Sequence, residues 1–131
     1  MKYVINLWDT AGQEKFKSLS KLFFKGSHIA ILVYDITNKE SFKSLDFWVN
    51  AIKENNSNFN CLLGIVGNKC DMINKEEVDE EEVEKYSKSI EVKYKIVSAK
   101  ENPQSFINFL EELVTDAREY IFKKNGKIFL N

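Results

Sequence analysis

Three short segments carry side chains able to do chemistry, and they come in a fixed order. The first is Asp9-Thr10-Ala11-Gly12-Gln13-Glu14. An Asp in that setting can hold Mg²⁺ directly or through a water. Gly12 lets a backbone N–H approach an anion closely, and Gln13 can orient an attacking water. The second is Gly67-Asn68-Lys69-Cys70-Asp71. One ionised Asp can accept two neighbouring N–H donors, the pattern that an edge of guanine presents. The same pairing rejects adenine, because a site built around a polar partner penalises a base that lacks it. Asn68 can bind the base or brace the loop, and the Lys69 stem can lie across a flat ring. The third is Ser98-Ala99-Lys100. A backbone N–H there can reach a base oxygen, and Lys100 can flank the ring. Taken singly, each segment is also a common polar turn.

Placement gives the three segments their weight. Tyr3 to Trp8 reads as a strand that ends just before Asp9. His28 to Tyr34 is a short β-branched apolar run, the pattern of a strand buried on both faces. Leu62 to Val66, closed by Gly67, and Val92 to Val97 repeat it. Between the strands the period becomes helical. Phe42, Leu45, Val49 and Ile52 share one stripe, widened by Trp48. Asp79 and Glu82 form a capping pair, with Val83, Tyr86 and Ile90 facing inward. Asn102-Pro103 opens the last helix. Its stripe is Phe106, Leu110, Leu113, Val114, Ala117 and Ile121, and it is expected to fray near Asn125-Gly126. Strands alternating with such helices predict a parallel sheet covered on both faces. Ligands of such sheets sit beyond the carboxyl ends of the strands, where all three segments fall.

Composition narrows the class. The 131 residues suffice for one domain. Nineteen Lys and Arg against 20 Asp and Glu leave a net charge of −1, without the basic excess of a nucleic-acid binder. One Pro and five Gly mean few breakers. Cys61 and Cys70 match no metal spacing and are expected to stay reduced in a cytosol-like compartment. The first residues show no signal-peptide pattern, and the longest apolar run, Ile29 to Tyr34, is too short to span a bilayer.

In order and placement, the three segments resemble the guanine-nucleotide site of the Ras superfamily of small GTPases. The segments Tyr3-Val4-Ile5-Asn6-Leu7-Trp8, Lys15-Phe16-Lys17-Ser18-Leu19-Ser20, Phe23-Phe24-Lys25-Gly26-Ser27 and Leu32-Val33-Tyr34-Asp35-Ile36-Thr37 look like those that mark Rab proteins. The likeness covers about Lys2 to Phe122. It implies a P-loop NTPase-like α/β fold of three layers with a mostly parallel sheet. It also implies binding of GTP and GDP with Mg²⁺, and GTP hydrolysis as a switch in vesicle-mediated membrane traffic. By the same resemblance, Asp9 acts in the magnesium shell through water, Gly12 meets the γ-phosphate, and Gln13 is the catalytic residue that positions water. Asn68, Lys69, Asp71, Ser98, Ala99 and Lys100 form the nucleotide-base pocket. Gly12 to about Lys25 is the second switch. Trp8, Phe16 and Phe23 face effectors. The implied partners are Rab effectors, exchange factors and GTPase-activating proteins, on the cytosolic face of endomembranes.

The family's phosphate-binding loop, Gly-x-x-x-x-Gly-Lys-Ser/Thr, does not occur in this sequence. The resemblance therefore implies a partial G domain over 1–131, with 124–131 as a short tail. The first strand, P-loop, first helix, first switch and second strand are expected to precede Lys2, as a unit of roughly 30 residues or more. Charge-assisted hydrogen bonds to phosphate net about 1.5–3 kcal/mol each, so this chain alone is expected to hold nucleotide weakly. The family's first strand lies between those matching Tyr3–Trp8 and His28–Tyr34. Its absence leaves unpaired strand edges and predicts self-association. No Cys follows Cys70, so no lipid anchor is expected. Arg118, Lys123, Lys124 and Lys127 form a basic end with weak attraction for anionic lipid. Three readings stay open: a nucleotide switch, a nucleotide-free interaction module using the switch and aromatic surface, and an incomplete product with no function of its own.

Overall fold

The computed structural model describes residues 4–8, 26–55 and 61–125. Its centre is a three-stranded parallel sheet, with β1 at Ile29–Asp35, β2 at Leu62–Asn68 and β3 at Lys93–Ile96. The strands lie in the order β1-β2-β3. Ile29 pairs with Leu62 through to Asp35 with Asn68, and Gly64 with Lys93 through to Gly67 with Ile96.

Strand residues alternate between two faces, and each face has its own core. Leu32, Tyr34, Leu63 and Ile65 point to one side, where they meet Ile36, Leu45, Val49, Ile52, Val78 and Val83. Ile29, Ile31, Leu62 and Val66 meet Val97, Phe109 and Leu113 on the other. The first layer holds α1 (Lys39–Lys43), α2 (Leu45–Asn55) and α3 (Glu80–Ser89); the second holds α4 (Pro103–Asn125). On the α4 side the sheet approaches the helix closely at Gly64. A Cβ there would stand 2.6 Å from Cδ1 of Leu113.

The helix signals are met with local adjustments. Asn38 caps α1 by accepting the Ser41 N–H at 3.1 Å. The stripe from Phe42 to Ile52 is split at Ser44, whose hydroxyl donates to the Glu40 carbonyl at 2.9 Å. Such a back-bond is added to the Ser44 N–H bond to the same carbonyl, at 3.0 Å, and favours a bend there. Asp79 caps α3 by accepting the Glu82 N–H at 2.9 Å. The reciprocal half of the capping pair is replaced, because the Glu82 carboxylate pairs with Lys39 instead. Pro103 is the first residue of α4. Its most buried residues are Phe109, Leu113 and Ala117, with Phe106 and Leu110 only partly covered. The expected stripe therefore omitted Phe109, the residue that faces Val66 in the centre of the sheet.

The expected strand at Tyr3–Trp8 is corrected. Its described part, Val4–Trp8, forms no strand, and every residue in it is exposed. A strand exists through hydrogen bonds to a neighbour, and none of the three strands of the described sheet pairs with this segment. β1 consequently lies at an edge of the sheet, leaving Val33 58% exposed.

Candidate functional site

The site lies where β2 and β3 end. Lys69, the residue after β2, adopts the left-handed conformation (φ 70°, ψ 34°). That conformation is uncommon for a residue with a side chain. It turns the chain directly into a 3-10 segment, Cys70–Lys75. Two backbone bonds hold the turn: Met72 N–H to Lys69 O at 2.8 Å, and Cys70 N–H to Val97 O at 3.0 Å. The second ties the loop after β2 to the end of β3.

Side chains complete that tie. Ser98 is buried, donates its hydroxyl to Oδ1 of Asp71 at 2.6 Å, and accepts the Glu101 N–H at 3.0 Å. Asn68 Oδ1 accepts the Ala99 N–H at 3.0 Å. Asn68 thus braces the loop, one of the two roles open from sequence. Of the backbone N–H groups in Ser98-Ala99-Lys100, that of Ala99 is given to Asn68. Asp71 is exposed, and its other carboxylate oxygen has no hydrogen-bond partner among the described residues. Ser98 thus aims an anionic acceptor outward at the strand ends. Lys100 is exposed in the adjoining turn.

Asp35, the last residue of β1, is a supporting residue that the sequence reading assigned no role. Its Oδ2 pairs with Nζ of Lys69 at 2.5 Å. Its Oδ1 accepts the N–H and the hydroxyl of Thr37 at 2.8 and 2.7 Å. Burial raises the Asp35 carboxyl pKa, but the Lys69 and Thr37 hydrogen bonds outweigh it and hold the group below the ordinary carboxylate range. The signal was available in Asp35-Ile36-Thr37, an Asp followed two residues later by a donor. The pairing secures the far end of the Lys69 side chain.

The sheet therefore brings Asn68, Lys69, Asp71, Ser98, Ala99 and Lys100 to one end of the molecule. Asp9, Gly12, Gln13, Phe16 and Phe23 lie outside the described residues. Trp8 is 76% exposed, beside exposed Leu7. Neither cysteine is in a disulfide. Burial pushes the Cys61 thiol up to about 11, which suits a packed and unreactive side chain. Among the described residues, no group of three or more His, Cys, Asp or Glu side chains is placed to hold a metal.

The Ras family model matches residues 1–119. The chain is 37% identical to Ras-related protein Rab-13 of Bos taurus over 130 residues, 99% of this chain and 62% of that one. It is 43% identical to Ras-related protein Rab-22A of Homo sapiens over 94 residues, 72% of this chain and 48% of that one. Against Ras-related protein Rab-8B of Bos taurus the identity is 38% over 127 residues, 97% of this chain and 59% of that one. The chain thus spans between about half and three fifths of the length of these curated relatives. The matched span takes in the residues gathered at the strand ends and the parallel sheet beneath them. This chain belongs to the Ras family and is of the Rab type of small GTPase.

Proposed function

We propose that this chain supplies the guanine-reading part of a nucleotide switch serving vesicle-mediated membrane traffic. One observation carries the reading: the Ser98 hydroxyl fixes one oxygen of Asp71 at 2.6 Å and leaves the carboxylate facing out of the sheet end. A carboxylate so held suits a base that offers two adjacent N–H donors. The Lys69 stem, with its amine secured on Asp35, suits a flat ring. The acceptor and its flanking stem therefore fit guanine and leave adenine unpaired.

In the complete protein, bound GTP with Mg²⁺ would supply the phosphate chemistry that the base pocket cannot. Asp9 would hold the magnesium shell, Gly12 would sense the γ-phosphate, and Gln13 would orient water. Exchange factors, GTPase-activating proteins and effectors would act on the region from Gly12 to Lys25, on the cytosolic face of endomembranes. Base contacts alone give this 131-residue chain weak binding, because the charge-assisted bonds to phosphate carry most of the affinity.

The test is an NMR titration of the ¹⁵N-labelled full chain with GDP and ADP at millimolar concentration. GDP is expected to shift the Asn68, Ser98 and Ala99 amides, and ADP is not. Equal shifts with both, or none with GDP, would remove the guanine reading. A second reading is favoured by the exposure of Trp8. As an aromatic anchor it fits a protein interface and would let the chain act without nucleotide. Partner binding unaffected by GDP but abolished by Trp8→Ala would select that reading.

A further inference from the structure

The residue that decides where the Lys69 charge goes lies on the neighbouring strand. The β1–β2 register sets Asp35 opposite Asn68, one residue before Lys69. Asp35 is fixed at both ends. Its backbone N–H is donated to Ser41 Oγ at 3.0 Å, and its Oδ1 accepts the N–H and the hydroxyl of Thr37. Oδ2 is left to take the Lys69 ammonium.

Lys69 has a second carboxylate close by in its own loop. Asp71 stands two residues further along the chain. Two residues span at most about 7 Å of backbone, and lysine carries its charge on a flexible four-carbon stem. The loop is also folded back on itself, because the Met72 N–H closes a turn on the Lys69 carbonyl at 2.8 Å. The structure nevertheless pairs Lys69 with Asp35. One oxygen of Asp71 has no hydrogen-bond partner among the described residues.

Resting on the guanine reading of the site, we propose that Asp35 is its positioning residue: it draws the Lys69 ammonium away from Asp71 and so keeps the base-reading carboxylate open.

The chemistry of the acceptor makes this placement matter. A carboxylate receives two N–H donors only through lone pairs that nothing else occupies. Its hydrogen bonds are strong because it is charged. An ammonium seated on Asp71 would take a lone pair and cancel that charge.

Asp35 is built to win the competition. Its side chain is 23% exposed, whereas Asp71 is exposed, and a partly buried pair is screened less than an exposed one. Thr37 has already oriented the Asp35 carboxylate. The Lys69 and Thr37 bonds also hold the Asp35 carboxyl below the ordinary range, so the pair is intact at neutral pH.

The test uses the full chain, with folding checked by circular dichroism. Asp35→Asn keeps the shape of the side chain and the acceptor for Thr37 but gives up the charge. It is expected to weaken GDP binding about twofold to fivefold, the range of an exposed ion pair. Asp35→Glu, which returns the charge, is expected to restore binding. In a Lys69→Met background, Asp35→Asn is expected to change nothing further, because no ammonium remains to reach Asp71. A merely structural role for Asp35 would weaken binding in both backgrounds. A second readout needs no nucleotide. The ¹³Cγ signal of Asp71 in the free chain is expected to move in Asp35→Asn and to stay in place when the same change is made in the Lys69→Met background. Should GDP bind nowhere on the wild-type chain, the guanine reading fails, and the Asp71 signal still decides whether Asp35 holds Lys69 away. Three results would overturn the proposal: an Asp71 signal unmoved by Asp35→Asn, an equal loss of GDP binding with Met at position 69, or tighter GDP binding in Asp35→Asn.

Discussion

Ser98 gives its hydroxyl to Asp71 across 2.6 Å, joining the loop after β3 to the loop after β2. Twenty-seven residues separate the two in the chain, and the parallel β2–β3 pair brings them together. Ser98→Ala removes this bond together with the acceptor for Glu101 N–H. Hydrogen bonds to charged groups contribute about 1.5–3 kcal/mol, and the exposure of Asp71 places this one at the low end. Urea unfolding is expected to show a loss of about 1–2 kcal/mol with an unchanged m-value. A loss confined to a few tenths would mean that Asp71 is held by something else.

Asp35 offers a pH signature. Its folded pKa is depressed by the Lys69 and Thr37 hydrogen bonds acting against burial. Such a group contributes stability that is present above the unfolded value of about 4 and is lost as the pH falls through the lower folded value. Asp35→Asn lacks that contribution. The stability gap between wild type and Asp35→Asn is expected to be constant near neutrality and to close as the pH falls below about 4. A gap that persists unchanged into that acid range would contradict the assignment.

Tyr34 is buried, and its hydroxyl has no hydrogen-bond partner among the described residues. Burial, reinforced by Glu76 and other acidic neighbours, raises its pKa well above the ordinary phenol value. The neutral ring is thus the stable form, and its stability is lost as the pH rises above about 10. Tyr34→Phe deletes an unsatisfied group with little change of shape. It is expected to match or exceed wild-type stability by up to about 1 kcal/mol and to flatten the alkaline loss. Clear destabilisation in thermal melts at pH 7 would reveal a partner for the hydroxyl.

Gly67 sits against that same ring. A Cβ there would press on the Tyr34 side chain and stand 2.9 Å from Cδ1 of Ile96. Gly67→Ala is expected to cost about 1–3 kcal/mol by overpacking and to displace Asn68 next to it. In the Tyr34→Phe background the cost is expected to shrink, because the nearest clashing atom, the hydroxyl oxygen, is gone. Additive effects in that double-mutant cycle would show that the hydroxyl is not the obstacle.

The exposed edge of β1 carries Val33 between Leu32 and Tyr34, with no charge from Ile29 to Tyr34. Such an edge invites pairing between chains. Sedimentation is expected to show concentration-dependent association, reduced by Val33→Lys. A monomer at all concentrations would rule this edge out as an association surface.

Much of the architecture was legible because parallel strands leave unbroken apolar runs, as in Leu62–Val66, buried on both faces, and Ile29–Tyr34, where Val33 is exposed at the edge. The helix starts at Asp79 and Pro103 were legible because capping chemistry is local. What escaped depended on distant partners. Val4–Trp8 has the composition of a strand, but composition cannot provide a neighbour to pair with. Phe109 lies on the α4 stripe, yet only the close approach at Gly64 shows which residues of that stripe are central. Within the site, residue types and order announced Asn68, Asp71 and Ser98. The Asp35–Lys69 pair was hidden because it joins the ends of two strands whose adjacency the sequence does not state.

The guanine reading rests on Asp71, and exchanging its chemistry is the direct test. Xanthine carries a carbonyl where guanine has its amino group. An Asn at this position offers a donor for that carbonyl and an acceptor for the ring N–H. Titrating GDP and XDP into the wild-type and Asp71→Asn chains, read at the Ala99 and Ser98 amides, measures the effect. The expected result is a guanine preference of about tenfold or more in the wild type, reversed toward xanthine in Asp71→Asn. An unchanged preference in the variant would contradict the role of Asp71 and, with it, the base pocket.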